Sequence, residues 1–352
     1  MGLTSTAFFY LLVAAVVVCA AAALLLWNRV RGPRALRLTQ RLLLLALCEL
    51  TAVAAVGAWI NNSYGLYASW ADLFGQESGA KAAMPGAPAE RAAFTTDRNG
   101  FQETYFRGIH SKLAGQVLVW TPPQYGEPAY RSFRFPVIML LHGVPGSPAS
   151  WIEGGHMPQA LATMMAAGQV QPAVVVVPVI DPGGVDTDCS DIGPRRNATW
   201  LAQDVPALVA KHFRVRLGAR SWGLAGLSTG GFCAVKLPMQ YPAVFGAGAA
   251  MDSDPFAGDP GVLTDPAQRR ANSPLELARS GPPVSLFVAT SAQDRLSPPK
   301  DIAALQRAIR PPTRLAPPLI LPTGGHNWDT FQRMYPTVFP WLSQQLRPAA
   351  PS

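Results

Sequence analysis

Apolar residues in this chain fall into continuous runs rather than alternating patterns. Two such runs stand at the front. Residues 8–27 carry no charge, and residues 42–60 are broken only by Glu49. Each is close to the roughly 20 apolar residues that a helix needs to cross a bilayer. Between them lie Arg29, Arg31, Arg34, Arg37 and Arg41, with no acidic residue. Short arginine-rich loops stay in the cytoplasm. The pattern therefore predicts a transmembrane hairpin, with the N-terminus and everything after Ile60 outside. A cleaved signal peptide would carry positive charge ahead of its apolar run, and residues 1–6 have none. Glu49 lies about 12 Å along the helix from the arginine boundary, at the helical rise per residue. It reads as a protonated, hydrogen-bonded structural residue or a helix-association contact rather than a transport group.

Past the second run the pattern changes. Residues 61–73 are amphipathic and aromatic, with Tyr64, Tyr67 and Trp70, and suit either a membrane surface or the start of the outer domain. Residues 75–93 are rich in Ala, Gly and Pro and read as a linker. From about residue 100 a strand–helix rhythm begins. Apolar runs at 116–120, 137–141, 173–179, 222–227, 247–251, 284–290 and 319–321 predict strands. Segments 157–167, 201–212, 231–240, 300–309 and 330–345 predict helices. The strand runs are apolar throughout, as in Val174-Val175-Val176-Val177. Strands buried on both faces look like this in a parallel sheet covered by helices. The expected organisation is a helical hairpin over 1–62, a juxtamembrane segment and linker over 63–95, and an α/β domain over 96–348. Its site should lie at the carboxyl ends of the strands.

Composition narrows the picture in three ways. The formal charge is +8, but part of the excess is the arginine cluster between the apolar runs. No basic stripe interleaved with aromatics follows residue 60, so nucleic acid is not an expected partner. Of the four cysteines, Cys19 and Cys48 lie in the apolar runs and read as small apolar residues. No Cys-x-x-Cys or His/Cys cluster points to a metal. The oligomeric state is not encoded in any of these features.

The chemistry centres on Gly226-Leu227-Ser228-Thr229-Gly230. It follows an apolar strand run and precedes a helix-compatible one, the context a nucleophile elbow requires. A serine hydroxyl needs a base, and the base needs an orienting carboxylate. In such a fold the order is serine, acid, histidine. His326, in Thr323-Gly324-Gly325-His326-Asn327-Trp328 after the last strand, is the expected base among five histidines. Asp294, just past the run 284–290, is the expected acid, with Asp252 and Asp254 as rivals one strand earlier. Two donors must meet the developing oxyanion. Thr229 N–H follows the nucleophile. The other comes from Leu140-Leu141-His142-Gly143-Val144-Pro145-Gly146. Pro145 has no N–H, so Val144 is the first choice and Gly143 the second. His142 then supports the loop.

Taken together and in order, Leu-Leu-His-Gly-Val-Pro-Gly, Gly-Leu-Ser-Thr-Gly-Gly and Gly-Gly-His-Asn-Trp resemble the α/β-hydrolase fold over roughly residues 100–346. More narrowly, they are similar to the esterase family that includes esterase D and the antigen 85 mycolyltransferases, whose actinobacterial members often carry membrane helices ahead of the esterase domain. The resemblance implies a serine esterase with an acyl-enzyme and no cofactor. One departure bears on substrate. The mycolyltransferases have an arginine directly after the first oxyanion donor, used for trehalose, and Pro145 stands there in this chain. A simple carboxylic-ester hydrolase gains weight accordingly.

Cys189 lies in the acidic loop Asp186-Thr187-Asp188-Cys189-Ser190-Asp191, and Cys233 five residues past Ser228. Both belong to segments that meet near the carboxyl edge of the sheet, either bridged in an oxidising compartment or as two buried thiols. The expectation is a membrane-anchored, extracytoplasmic serine esterase acting on a small-molecule or lipid ester. The alternatives are an acyltransferase using a cell-envelope alcohol and a non-catalytic scaffold on a hydrolase fold.

Overall fold

A computed structural model describes residues 2, 5–29, 31–64, 70, 93–97 and 100–352. Most of the amphipathic stretch 61–73 and nearly all of the linker 75–93 lie outside the described residues. The chain divides into two units, Met1–Gln76 and Glu77–Ser352.

In the first unit, the uncharged run forms helix α1 (Thr6–Leu26), capped by Ser5, whose hydroxyl accepts from Phe8 N–H. Helix α2 (Arg34–Tyr64) follows. Both are long and apolar enough to cross a membrane. The helix starts eight residues ahead of the apolar run, so Arg34, Arg37 and Arg41 ride on its first turns instead of lying in a loop. Arginine is a good helix former, and long side chains keep their charge at an interface. Arg41 Nε donates to Trp27 O, and its guanidinium sits 4.9 Å from the Trp27 ring centroid. This fixes the turn between the two helices.

In the second unit the valine run becomes a strand because every one of its side chains is buried: Val174, Val175, Val176 and Val177 are each 0% exposed. The main sheet, in chain order, is β1 (Thr95–Thr96), β2 (Gln102–Arg107), β3 (Ala114–Trp120), β4 (Val137–Leu141), β5 (Val174–Pro178), β6 (Trp222–Ser228), β7 (Ala247–Ser253), β8 (Ser285–Ser291), β9 (Arg314–Leu315) and β10 (Leu319–Leu321). Spatial order is β1-β2-β3-β5-β4-β6-β7-β8-β9, with β10 also paired to β8. From β5 to β10 every pairing is parallel, and β1, β2 and β3 add an antiparallel edge. This is the mostly parallel, helix-flanked sheet of an α/β hydrolase.

The main helices are α3 (Met157–Ala166), α4 (Val205–His212), α5 (Thr229–Gln240), α6 (Pro299–Ala308) and α7 (Trp328–Gln345). Helix α5 packs on β6 and β7, and α7 on β6, β7 and β8. One buried cluster gathers around Met139, Val176, Trp222 and Val205, and another around Ala250, Leu286, Val288 and Leu305. Two differences from the sequence pattern have physical causes. Strand β2 (QETYFR) carries no apolar run because it lies near the sheet edge and buries only Thr104 and Phe106. The helix expected over 201–212 begins as a short turn of helix at Asn197–Thr199 and a wider turn at Trp200–Asp204, before α4 proper.

The long connection after β5 carries the acidic loop back onto α5, where Cys189 and Cys233 form a disulfide with Cα atoms 5.8 Å apart. The link spans 44 residues of sequence, and closing a loop of that size is expected to stabilise the fold by about 3–4 kcal/mol through the unfolded chain. Replacing both cysteines by serine should lower the denaturant midpoint of the full-length protein accordingly. Equal stability of the two forms would show that the link restrains nothing that folding does not already fix.

Candidate active site

Strand β6 ends and α5 begins at the same residue, Ser228, with φ 54° and ψ −127°. A non-glycine residue held there is strained by about 1–3 kcal/mol. The sequence permits it because the two flanking glycines remove side chains where backbones cross. A Cβ on Gly226 would lie 2.0 Å from Gly230 O, and one on Gly230 would lie 2.2 Å from Leu141 O and 2.4 Å from His142 O. The tight turn therefore brings the loop after β4 directly against the nucleophile turn. Gly143 is so near that a Cβ there would sit 3.0 Å from Ser228 Cβ.

That loop is braced by His142, which is fully buried. Its Nδ1–H donates to Gly143 O at 2.8 Å, and its Nε2 accepts from Ile180 N–H at 3.1 Å. Both ring nitrogens are thus engaged by the backbone. Burial pushes its pKa down to about 4, so the ring stays neutral and structural. Val144 follows on the same loop. Thr229 is the first residue of α5, where N–H groups have no helical acceptor and the helix dipole is positive.

His326 and Asp294 are both buried. His326 Nδ1–H donates to Asp294 Oδ2 at 2.8 Å. Local structure fixes both partners. Asp294 Oδ1 accepts from Leu296 N–H at 2.8 Å and Ser297 N–H at 3.1 Å. The histidine loop is tied to the acid loop by Ser291 Oγ–H donating to Gly324 O at 2.7 Å. It ends at Asn327, whose side chain caps α7 by accepting from Thr330 N–H. The Phe331 ring meets the imidazole edge-on at 5.3 Å. Burial alone would push Asp294 up, but the hydrogen bond and charge of His326 and two backbone donors hold it below the usual carboxylate range. Burial likewise pushes His326 down, yet Asp294, Asp252 and Asp254 together raise its pKa above the ordinary value.

The two rival acids take other partners. A register shift between β6 and β7 at Met251/Ser253 accompanies φ 40° at Asp252. Asp252 Oδ1 accepts from Thr290 Oγ1–H at 2.9 Å and Ser291 N–H at 3.1 Å. Burial and the charge of Asp294 push its carboxyl up. Asp254 accepts from Ser228 Oγ–H at 3.3 Å and from Thr229 Oγ1–H at 2.7 Å. Burial raises its pKa, opposed by those hydroxyls and by His326. The hydroxyl of Ser228 thus rests on Asp254.

The sequence pattern named Asp254 only as a rival acid and gave no sign of its contact with the nucleophile. It did not single out Lys236 at all. Lys236 lies in α5, fully buried, with Nζ donating to Asp188 O, to Ser190 Oγ at 2.7 Å and to Asn272 Oδ1 at 3.5 Å. Burial lowers its pKa. A lone charge inside the otherwise apolar stretch 231–239 was the available signal.

A strained serine at a strand–helix turn and a buried Asp–His pair, both at the carboxyl ends of a parallel sheet, fit the fold of an α/β hydrolase. The signature of the family described as "Putative esterase" matches residues 114–335, and the chain belongs to that family. A protein of Corynebacterium glutamicum described as uncharacterized is 30% identical over 135 residues, which is 38% of this chain and 31% of that protein. The chain thus spans about a third of that relative's length. Among solved structures, a ferulic acid esterase superposes with TM-score 0.60 at 18% identity, covering 73% of this chain and 99% of that one. An S-formylglutathione hydrolase from Agrobacterium tumefaciens gives 0.57 at 17% identity, covering 74% and 100%. MPT51 of Mycobacterium tuberculosis gives 0.51 at 14%, covering 73% and 100%. At these identities the superpositions speak for the fold.

The elevated imidazole is directly measurable. An NMR titration of the ring protons of His326 should show a midpoint above the ordinary 6.5. Asp294→Asn should bring that midpoint down, because it removes the raising partner. A wild-type midpoint below 6.5 would mean that burial, not the carboxylate, governs this ring.

Proposed function

We propose that this protein is a membrane-anchored serine esterase whose catalytic domain faces away from the cytoplasm. Ser228 attacks an ester carbonyl, His326 acts as base and then acid, and Asp294 orients His326. Val144 N–H and Thr229 N–H hold the oxyanion. The observation that carries this reading is the buried Asp294–His326 hydrogen bond of 2.8 Å on the fold whose elbow presents Ser228.

The steps of this reading are as follows. Ser228 Oγ rotates from Asp254 towards His326 as substrate binds, since catalytic hydrogen bonds often tighten only in the complex. Its proton passes to His326 Nε2 while Oγ bonds to the acyl carbon. Asp294 keeps Nδ1 protonated and stabilises the imidazolium. The oxyanion forms at the positive end of α5, where fixed donors need no reorganisation. The leaving alcohol takes the proton back from His326. Water then repeats the sequence on the acyl-enzyme and releases the acid. No step calls for a cofactor.

The topology rests on three features. Two apolar helices are long enough to span a bilayer, the arginines gather at the turn between them, and a disulfide joins Cys189 to Cys233 in the second unit. Persistent disulfides belong to oxidising compartments.

Ser228→Ala and His326→Ala in the full-length protein should each lose activity on a simple nitrophenyl ester by on the order of 10³-fold or more, with Asp294→Asn losing a comparable amount or less. Wild type, but not Ser228→Ala, should be labelled by a fluorophosphonate. Near-normal turnover by Ser228→Ala would refute the mechanism, and damage confined to Asp252 or Asp254 variants would show that the acid is one of those.

For topology, a periplasm-type reporter fused after residue 75 should be active, and one fused near Arg34 inactive. The opposite pattern, or recovery of a soluble secreted form with an intact N-terminus, would remove the hairpin from this reading.

A further inference from the structure

We propose that Asp254 makes this enzyme choose water over a simple alcohol as the acceptor that removes the acyl group from Ser228. The inference rests on the acyl-enzyme reading above. Asp254 is fastened against the nucleophile from three directions. Its Oδ1 accepts from Ser228 Oγ–H at 3.3 Å, its Oδ2 from Thr229 Oγ1–H at 2.7 Å, and its own N–H donates to Ser228 O at 3.3 Å. Its charge also helps to raise the His326 pKa. The residue is half-buried.

Acylation changes what Asp254 faces. The Ser228 proton leaves for His326, and the ester oxygen that replaces the hydroxyl has no hydrogen to donate. Thr229 still holds Oδ2, but Oδ1 loses its donor. A charged acceptor left without a partner in a part-buried site is costly. The next molecule to approach the acyl carbon within reach of His326 is also within reach of Oδ1.

Water suits this position because it has two O–H bonds. One proton passes to His326 Nε2 as the water oxygen bonds to the acyl carbon. The other hydrogen bonds to Oδ1 and is not transferred. The tetrahedral intermediate then collapses: the bond from the acyl carbon to Ser228 Oγ breaks, and the proton on His326 passes to Oγ. The carboxylic acid leaves, and Ser228 Oγ–H returns to Oδ1. A simple alcohol has a single O–H, which His326 must take. Its alkyl group then stands where the second hydrogen of water would be, and Oδ1 stays unpaired through the transition state. The penalty falls on transfer alone.

The test is the partitioning of a single acyl-enzyme. Full-length protein in detergent is given a short-chain nitrophenyl ester at a fixed ethanol concentration, and ethyl ester and free acid are quantified by chromatography. The ratio reports competition for one intermediate, so it does not depend on how much of a variant is folded. Asp254→Ala should raise the ratio of ethyl ester to acid by about tenfold, the size expected for an unpaired charged acceptor. Asp254→Asn, which keeps the shape and loses the charge, should raise it by a smaller factor. If both variants stay within about twofold of wild type while turnover still requires Ser228, Asp254 does not choose the acceptor and this inference alone falls. If Ser228→Ala hydrolyses the ester as fast as wild type, no acyl-enzyme forms and both readings fall together.

Discussion

The site depends on a backbone approach too close for any side chain. Gly226 meets the carbonyl of Gly230, and Gly230 meets the carbonyls of Leu141 and His142. Only that approach lets strand β6 turn into helix α5 within one residue, which leaves Ser228 at positive φ. The strain is local and modest. The surrounding burial outweighs it: Leu224 and Ala225 before the turn and Phe232, Cys233 and Ala234 after it are all 0% exposed. The same approach sets the loop after β4 beside the start of α5. A fixed N-terminus and a fixed loop are what a developing negative charge needs from a scaffold. The turn at Ser228 and the loop after β4 are thus fixed by the same contacts.

Three aspartates at the ends of two neighbouring strands show how environment divides roles among identical groups. Asp294 receives an imidazole and two backbone donors and is held ionised. Asp252 receives a hydroxyl and one backbone donor but shares the field of Asp294. Two carboxylates so placed do not both ionise readily around one imidazole. Asp254 instead accepts from the hydroxyls of Ser228 and Thr229. The chain order of the motif points to Asp294, and of the three it is Asp294 that His326 meets by a hydrogen bond.

The parallel strands were legible in the sequence because burial on both faces writes an unbroken apolar run, as at Val174–Pro178. The turn glycines of the elbow were legible because only glycine tolerates such contacts. The near-edge strand Gln102–Arg107 was not, since a strand half open to solvent leaves no comparable run. The helices Pro266–Asn272 and Pro274–Arg279 were missed for a similar reason: they are short and bury little. At the candidate site, the sequence pattern named His326 and Asp294, and the fold brings the two into a hydrogen bond. The contact of Asp254 with Ser228 depends on the irregular pairing at the end of β7, and no one-dimensional pattern carries that.

Lys236 gives the acidic loop its meaning. An ammonium has three donors, and this one meets three acceptors, two of them from the loop at Asp188 and Ser190. Burying a charge is tolerable only when its hydrogen bonds are met in this way. The disulfide adds a covalent tie from Cys189 to the same helix, one turn earlier at Cys233. Asp188 and Cys189 both have positive φ, so the loop is bent into a shape it would not keep unaided. Asp188 Oδ2 in turn accepts from Asp259 N–H at 3.3 Å, on the segment that follows Asp254. The helix that presents Ser228 therefore also anchors the loop beside it, and through that loop the segment carrying Asp254.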